Sequence, residues 1–260
     1  MSKAPAVDYA LQMIALFAQN RNELGIADIS NALGINKNAV SRIIEALLEK
    51  NWIYLSNSVG KKYRLTMKPF SMMSASLEED DMIKIANPIL SKVHKETRDS
   101  VYLGIRNGDN VLYLLHYDSV KEVRVSGRVG GEYPLHLSAP GKVLLSYDSS
   151  TAITDYFAKN PKSQTPNSIK SAEEFEREAE KIKKAGYATD NEEFSKGVIC
   201  VACPIFNRER RVVASIGISS LIIYDDIHSL IANKYPLLRQ AAEEISNRLG
   251  LIGENEDENR

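Results

Sequence analysis

The spacing of apolar residues changes near residue 100, and this change constrains the fold more than any other feature of the chain. Before that point, apolar residues recur at intervals of three and four positions, which places them on one face of a helix. Beyond it they form short runs separated by glycines, which is typical of strands, with helical segments in between. A chain of 260 residues is long enough for two domains. The pattern therefore predicts an α+β protein with a helical N-terminal domain and a larger α/β domain.

Residues 1–66 contain the elements of a small three-helix domain that ends in a hairpin. Gly34 permits a sharp turn between two helices because it lacks a Cβ atom, and Asn36 can cap the helix that follows. The predicted elements are helices over 6–20 and 26–33, a third helix after Asn36, and strands over 52–56 and 62–66. Helix, turn, helix and hairpin in this order predict a winged helix-turn-helix domain.

The third helix of this domain has a buried stripe and a polar face. Apolar residues from Val40 to Leu48 fall on one side, so the polar side chains at its N-terminal end face outward. In helix-turn-helix proteins that end of the helix enters the major groove of DNA, where asparagine and arginine bind base edges. Basic residues of the hairpin can reach the phosphate backbone. The candidate DNA-binding residues are Lys37, Asn38, Ser41 and Arg42 on the helix and Lys61, Lys62 and Arg64 on the hairpin.

Charge is distributed unevenly along the chain. Residues 1–66 contain eight lysine and arginine residues and five acidic residues, a formal charge of +3, whereas the rest of the chain carries −4. A basic segment attached to an acidic body is typical of nucleic-acid-binding modules. The alternative interpretation is a helical domain whose outer face is only polar and solvated. The order of the elements favours double-stranded DNA as the partner.

The rest of the chain divides into a helical segment, an α/β domain and an acidic tail. Residues 67–98 are predicted as a helical linker and dimerisation segment that Pro88 breaks or kinks. Residues 99–250 are predicted as the α/β domain, and the acid-rich residues 251–260 as a disordered tail. The predicted strands are 101–105, 111–116, 123–125, 198–206 and 212–221, and predicted helices lie near 140–147, 151–158 and 172–185 and from about 225 to Gly250.

Composition excludes several classes of protein. Apolar residues make up 43% of the chain and charged residues 26%, which is unlike a disordered or collagenous protein. The chain has two cysteines, three positions apart, which cannot staple a fold and indicate a reducing compartment. No apolar run reaches the roughly 18 residues of a membrane span, and the first residues lack the pattern of a signal peptide. We therefore expect a soluble cytoplasmic protein without membrane contact.

Three segments resemble the IclR family of bacterial transcriptional regulators. The first, ISNALGINKNAVSRIIEAL over residues 29–47, is similar to the winged-helix pattern of the family. The second, PLHLSAPGKVLL over 134–145, resembles its His-x-(Ser/Thr)-Ala-x-Gly-Lys segment. The third, GYATDNEEFSKGVICVACPI over 186–205, resembles its Gly-Tyr-x-x-Asp-(Asp/Asn)-Glu-Glu segment and the Gly-x-x-Cys-x-Ala-x-Pro-Ile segment after it. The segments occur in order, and the resemblance extends over about residues 7–250.

The resemblance implies a transcriptional regulator in which a linker helix joins the winged helix to a GAF/PAS-like effector-binding domain. Members of the family act as homodimers or tetramers on palindromic DNA operators near catabolic genes. Their effectors are small organic acids, sugar acids or aromatic compounds. We therefore predict a repressor of a catabolic operon with a DNA operator and a small-molecule effector as partners, and with no cofactor.

A candidate effector site lies around the predicted helix that opens at Ala139. Ser138 is placed to cap that helix, and the free N–H groups and positive dipole of a helix start suit a carboxylate. Pro140 removes one of these donors, and Gly217 stands where the family often has a serine, so a hydroxyl is absent. The residues that the resemblance implies around the effector are Val125, Ser138, Ala139, Gly141, Asp190, Val198, Cys200, Gly217 and Ser219.

Other interpretations of the same residues are open. Val125, Val198 and Cys200 can simply fill a core. Cys200 and Cys203 have the spacing of a metal or redox motif, but residues three apart on a strand point to opposite faces, so we predict no metal site. The alternative from another class is a cysteine-dependent small-molecule enzyme, with Cys200 as nucleophile, Asp190 nearby and His136 as base. In that case the winged helix is an interaction module, whereas the prediction here is a regulator without enzyme activity.

Overall fold

The computed structural model describes residues 4–20, 22–72 and 81–257. The chain divides into two compact units, residues 1–79 and 80–260. This boundary lies inside the segment 67–98, which the sequence predicted as a separate linker. The difference arises because helix α5 (Asp81–Thr97) buries Leu90 and Val93 in the core of the second unit, so it belongs to that unit.

In its described residues, the first unit contains three helices, a three-stranded antiparallel sheet and the start of a further helix. Its sheet has the order β1-β3-β2, and the short β1, which the sequence did not predict, pairs Leu24 with Tyr63. Its elements are α1 (Pro5–Gln19), β1 (Leu24–Gly25), α2 (Ile26–Leu33), α3 (Lys37–Glu49), β2 (Ile53–Asn57), β3 (Lys62–Leu65) and α4, described over 68–72.

Local capping ends α2 and starts α3. Gly34 ends α2 in the left-handed conformation with φ of 67°, which a residue with a Cβ atom adopts only at a cost. The Asn36 side chain then accepts a hydrogen bond of 2.9 Å from the Ala39 amide and starts α3. Met13, Ile29 and Ile44 pack in the core that joins the three helices. These features confirm the predicted winged helix-turn-helix.

The second unit is built on a six-stranded antiparallel sheet of order β6-β5-β4-β9-β8-β7. Helices cover both faces of this sheet, which matches the predicted α/β domain and the α+β class of the whole chain. Its elements after α5 are β4 (Ser100–Asn107), β5 (Asn110–Tyr117), β6 (Glu132–Pro134), α6 (Ala139–Ser146), α7 (Ser150–Ala158), α8 (Ala172–Ala185), β7 (Ala188–Asn191), β8 (Val198–Phe206), β9 (Val212–Leu221) and α9 (Ile227–Asp257).

Alternate residues of strand β8 belong to the two hydrophobic cores on opposite faces of the sheet. Val201 and Cys203 lie in the core that α5 and α9 share with the sheet, whereas Cys200 and Ala202 lie in the core beside α6 and α8. Alternate side chains of a strand point to opposite faces, so this division follows directly from the sequence. It confirms that Cys200 and Cys203 face different layers.

Two segments differ from the predicted secondary structure around the sheet. Residues 123–125 do not form a strand: the Val125 carbonyl accepts a hydrogen bond of 3.1 Å from the Ser100 hydroxyl, so a side chain holds this segment instead of a strand ladder. Asp190, predicted in a polar turn, lies in edge strand β7 and pairs with Cys200. The turn begins only at Glu192.

Helix α9 is longer than predicted. It continues to Asp257 with Pro236 inside it, where the sequence predicted an end near Gly250 and a disordered tail over 251–260. An existing helix adds residues without a new nucleation step, which allows this extension. Residues 258–260 lie outside the described part of the chain.

Candidate functional site

The outer face of α3 carries the polar residues that the sequence singled out. Lys37, Asn38 and Arg42 are exposed and Ser41 is half-buried, while Val40 on the opposite side is fully buried. Asn38 and Arg42 are four positions apart and therefore lie on one face of the helix. This face can present an amide and a guanidinium group together to base edges in a major groove.

The hairpin between β2 and β3 places its basic residues in different surroundings. Lys61 and Arg64 are exposed. Lys62 is half-buried, and its Nζ atom lies 3.5 Å from Asp28 Oδ2 on α2. The Gly25 amide, which donates to the Asp28 carboxylate, and then Lys62 lower the pKa of Asp28. Lys61 is therefore freer than Lys62 to contact a phosphate.

The second unit has a cavity of about 230 Å³ between one face of the sheet and the start of α6. Seven of the nine residues predicted around an effector line it. These are Val125, Ser138, Ala139, Asp190, Val198, Cys200 and Ser219. The remaining wall comes from residues that the sequence did not predict, namely Ser100, Tyr102, Tyr113, His116, Ser126, Gly127, Tyr133, Pro140, Phe194 and Ser195.

Gly141 and Gly217, also predicted as effector-binding residues, do not line the cavity. A Cβ atom at Gly217 would lie 2.3 Å from the ring of Tyr102, which occupies the space of the absent side chain. A Cβ atom at Gly141 would lie 2.6 Å from Leu135 Cα. Both glycines therefore allow close packing behind the wall of the cavity.

The start of α6 offers fewer donors than a free helix end. The Ser138 side chain accepts a hydrogen bond of 3.3 Å from the Gly141 backbone amide. The Ser138 carbonyl accepts one of 2.8 Å from the Lys142 backbone amide. Pro140 has no N–H. Among the described residues, the Ala139 amide is thus the remaining donor of the first turn. The N-terminal end of α6 can therefore donate one hydrogen bond to a carboxylate oxygen.

Asp190, Cys200 and Ser219 form a buried polar group beside this helix start. The Cys200 Sγ atom lies 3.0 Å from Ser219 Oγ and 3.9 Å from Asp190 Oδ2. Asp190 Oδ1 accepts a hydrogen bond of 2.7 Å from the Glu193 amide. Burial, and then the neighbouring Glu193 carboxylate, raise the pKa of Asp190 to about 7. Its carboxyl group can therefore be neutral near neutral pH and donate a hydrogen bond to a ligand.

A buried ion pair fixes this polar group to α6. Lys142 has only 1% of its side chain exposed, and its Nζ atom lies 2.6 Å from Glu193 Oε1 and 3.5 Å from Glu178 Oε1. Burial raises the pKa of Glu193 even though Lys142 acts in the opposite direction. The pair connects α6 to the turn after β7, so the two walls of the cavity are held together.

Aromatic rings form the wall on the β4 and β5 side. The rings of Tyr102 and Tyr113 are stacked, with 4.6 Å between their centroids and 8° between their planes. Tyr113 also contacts Tyr133, at 4.5 Å between ring centroids. The alternation of residues on β4 and β5 could have identified this face, but the strand order that brings it to the cavity is a tertiary feature.

The enzyme alternative lacks an activated nucleophile. Burial and then the nearby Asp190 raise the pKa of the Cys200 thiol far above its usual range, so the thiol stays protonated. The proposed base, His136, does not line the cavity; its Nδ1 atom lies 2.7 Å from the Tyr156 hydroxyl, and burial lowers its pKa to about 4. In the described part of the chain, no group of three His, Cys, Asp or Glu side chains is arranged to hold a metal ion.

A winged helix-turn-helix together with an α/β unit that contains a cavity is the architecture of ligand-responsive DNA-binding regulators. The family description "Bacterial transcriptional regulator IclR C-terminal" matches residues 74–247, and "IclR helix-turn-helix domain" matches 6–55. The chain therefore belongs to the IclR family of transcriptional regulators. None of the described helices is long and apolar enough to span a membrane.

Named relatives agree with this assignment. The chain is 30% identical over 232 residues to the HTH-type transcriptional regulator KdgR of Dickeya chrysanthemi, which covers 88% of this chain and 74% of the relative. It is 30% identical over 246 residues to the regulator XynR of Escherichia coli K12, at 94% and 97% coverage. The crystal structure of Thermotoga maritima IclR aligns with a TM-score of 0.76 and 26% identity over 95% of this chain and 99% of that chain.

Proposed function

We propose that this protein is a repressor of a catabolic operon and that a small organic acid, sugar acid or aromatic acid bound in the cavity controls its affinity for the operator. The observation that carries the proposal is the occurrence, in one chain, of an exposed polar helix face and a cavity lined by polar and aromatic side chains. The site of action is the cytoplasm, where the operator DNA is.

Within this proposal, the residues of the first unit have different roles on DNA. Asn38 and Arg42 bind base edges, because their side chains share the exposed face of α3. Lys37 and Ser41, at the helix start, bind bases or phosphates. The hairpin residues Lys61, Lys62 and Arg64 contact the phosphate backbone or the adjacent minor groove.

Replacing Arg42 with alanine is expected to weaken operator binding by about 1–3 kcal/mol and to relax the sequence preference, since a base contact is lost. Lys61→Ala is the matched control. It should weaken binding to every DNA sequence alike, and the slope of log K against log salt concentration should become shallower by about one. Fluorescence anisotropy with operator and scrambled duplexes at several salt concentrations measures both. Parent-like operator binding by Arg42→Ala would show that α3 does not bind the bases.

Operator binding also requires more than one copy of the chain. One winged helix contacts only a few base pairs, so specificity needs two modules at a fixed spacing, in a homodimer or a tetramer. Val7 and Leu11 on α1 are 59% and 61% exposed. They line an apolar groove between α1 and α3 that is suited to contact with a second copy.

The carboxylate of the effector binds at the polar end of the cavity beside the start of α6. The Ala139 amide and a neutral Asp190 carboxyl group can donate to it, with Ser138, Cys200 and Ser219 around them. Val125 and Val198 contact the apolar part of the ligand.

Replacing Val125 with tryptophan should fill the cavity and abolish the effect of ligand on operator affinity. In a typical regulator, the ligand changes the affinity for the operator about 5–150-fold. In this variant the ratio of operator affinities with and without ligand should fall to about one, while ligand-free DNA binding stays unchanged. Val125 is half-buried on a loop, so the larger side chain is tolerated better there than at the fully buried Ala139. Val129→Trp is the control, because Val129 is 57% exposed and does not line the cavity. Anisotropy with a panel of carboxylic and sugar acids measures the response; a full response in Val125→Trp would contradict the assignment.

A further inference from the structure

A second and larger concave region of this unit lies apart from the cavity. It is an open groove of about 920 Å³ between the end of α8, the turn that joins β8 to β9, and helix α9. Its lining residues and those of the cavity are entirely different. The groove includes Cys203, whereas the cavity includes Cys200, and these two residues face opposite sides of β8. The two sites are therefore separated by the sheet.

The lining of this groove is strongly cationic. The basic residues are Lys183 and Lys184 at the end of α8, Arg208 and Arg210 on the turn between β8 and β9, and Arg239 on α9. Among the described residues that line it, Glu243 is the only acidic one. The chain after residue 66 has a formal charge of −4, so positive charge is concentrated here against the trend of the surrounding sequence. We call this site the basic groove.

Three of the cations lack an anionic partner. Arg239 Nε lies 2.8 Å from Glu243 Oε1. Across the described residues, however, no carboxylate forms an ion pair with Lys183, Lys184 or Arg210. A concave surface lined by charge of one sign focuses the electric field and raises the local concentration of counter-ions. The basic groove is therefore suited to an anion from outside the chain.

Aromatic rings hold two of the unpaired cations in place. Lys183 Nζ lies 6.0 Å from the centroid of the Tyr147 ring, and the Arg210 guanidinium lies 5.8 Å from the centroid of the Phe206 ring. The two rings contact each other edge to face, with 5.7 Å between their centroids. A cation over a ring face keeps its charge and its N–H donors. Cations that are already positioned lose less conformational entropy when a ligand binds.

The backbone at Arg210 also indicates a role for its side chain. Its φ of 60° is in the left-handed region, which a residue with a Cβ atom adopts at a cost. The turn itself is closed by Asn207, whose carbonyl accepts a hydrogen bond of 3.0 Å from the Arg210 amide and whose side chain accepts one of 2.9 Å from the Arg211 amide. An arginine side chain does not favour this conformation, whereas its charge contributes to the groove.

The lysines of α8 alone have a simpler explanation. Lys183 and Lys184 lie in the last turn of the helix, where the negative end of the helix dipole stabilises cations. That effect does not account for Arg210 and Arg239, which reach the same groove from a turn and from another helix. The convergence of cations from three elements is what distinguishes a binding site from a capped helix.

The chemistry of these donors fits phosphate groups. A guanidinium group donates two parallel hydrogen bonds to phosphate oxygens, and an ammonium group adds a compact positive charge. Cations on three separate elements can pair with more than one phosphate group. The volume of about 920 Å³ lies within the range of about 300–1,000 Å³ that is usual for small-molecule sites. We propose that the basic groove binds a small molecule that carries a diphosphate or two phosphate groups.

The shape of the groove favours a small ligand over duplex DNA, which also presents phosphates. Duplex DNA binds through many phosphate contacts that are spread along an extended surface. Here the cations surround one concave region with buried residues such as Cys203 and Pro204 at its base. The lining of the cavity includes no lysine and no arginine, so the two sites of this unit accept different ligands.

Isothermal titration of the full-length protein with inorganic pyrophosphate, in about 0.15 M salt, tests the proposal. Pyrophosphate should bind saturably, and inorganic phosphate about tenfold more weakly, since it offers a single phosphate group. Arg239→Gln should weaken pyrophosphate binding about tenfold, because a charged donor is lost and Glu243 is left unpaired. The matched control is Arg248→Gln: Arg248 is on the same helix and pairs with Glu244 at 2.5 Å, but it does not line the groove. This control should bind within about twofold of the parent.

A second variant gives a result that damage to the structure does not imitate. Glu243→Gln removes the carboxylate from the groove and releases Arg239 from its ion pair. Pyrophosphate should then bind about threefold more tightly than to the parent. The neighbouring Glu244→Gln is the control, because Glu244 is exposed and does not line the groove, and it should leave the affinity unchanged.

Three results would overturn the proposal. The first is no saturable binding of pyrophosphate by the parent at millimolar concentrations. The second is an equal loss in Arg239→Gln and Arg248→Gln, which would show only an effect of net charge. The third is weaker binding of duplex DNA by Arg239→Gln with unchanged pyrophosphate binding, which would assign the groove to DNA. The proposal is independent of the effector, so Val125→Trp should bind pyrophosphate as the parent does.

Discussion

Replacing Lys142 with methionine is expected to lower the free energy of unfolding by about 3–5 kcal/mol, because removing one partner of a buried ion pair leaves the other charge uncompensated. Methionine has a similar length and fills most of the same space. The Glu193 carboxylate, which is 10% exposed, would then remain charged inside the protein or take up a proton. Urea unfolding at neutral pH measures the loss.

Two variants control this experiment. Lys142→Met combined with Glu193→Gln removes both charges and should recover most of the lost stability, since neutral pairs of similar volume are tolerated in place of buried ion pairs. Lys159→Met breaks the exposed pair with Asp109, at 2.7 Å, and should cost less than about 1 kcal/mol. Equal losses for Lys142→Met and Lys159→Met would contradict the structural importance of the buried pair.

The Asp190→Asn variant should be more stable than the parent above neutral pH, by up to about 4 kcal/mol. The folded protein raises the pKa of Asp190 to about 7, above its ordinary value of 3.8, so the folded state binds this proton more tightly than the unfolded state does. The parent therefore loses stability as pH rises from about 4 to about 7, and each pKa unit contributes about 1.4 kcal/mol. Asparagine stays neutral and keeps the oxygen that accepts from the Glu193 amide.

Unfolding measured at about pH 4.5 and about pH 8 tests the sign of this effect. The advantage of Asp190→Asn should be small at the lower pH and large at the higher one. Asp109→Asn, at a more exposed carboxylate paired with Lys159, is the control and should show no such trend. An advantage that is the same at both pH values would mean that the charge of Asp190 is not the cause.

Local features of the first unit could be predicted from the sequence because short-range chemistry determines them. Gly34 and Asn36 act within four residues of their own position, so turn and cap follow from residue type alone. Strand β1 could not be predicted, because two residues show no periodicity and Leu24 is a strand residue only through its pairing with Tyr63. That pairing spans almost forty positions of the chain.

Only those features of the cavity that follow from local rules could be predicted from the sequence. Cys200 and Cys203 were assigned to opposite faces because the alternation of strand side chains is a local rule. Tyr102 and His116 were missed, because their adjacency depends on the register of β4 against β5. The polar run Asn191–Glu193 predicts a turn at Asp190, whereas the pairing of Asp190 with Cys200 extends the sheet by one edge strand.

The seat of the Tyr102 ring over Gly217 restricts the order in which this cavity could have changed during evolution. A side chain at 217 is incompatible with the present position of the Tyr102 ring, since the added Cβ atom would lie 2.3 Å from that ring. A change from serine to glycine at 217 would therefore have to precede, or accompany, the gain of this ring at 102. A chain with glycine at 217 and a small residue at 102 avoids this overlap, and its cavity would be larger than the present one.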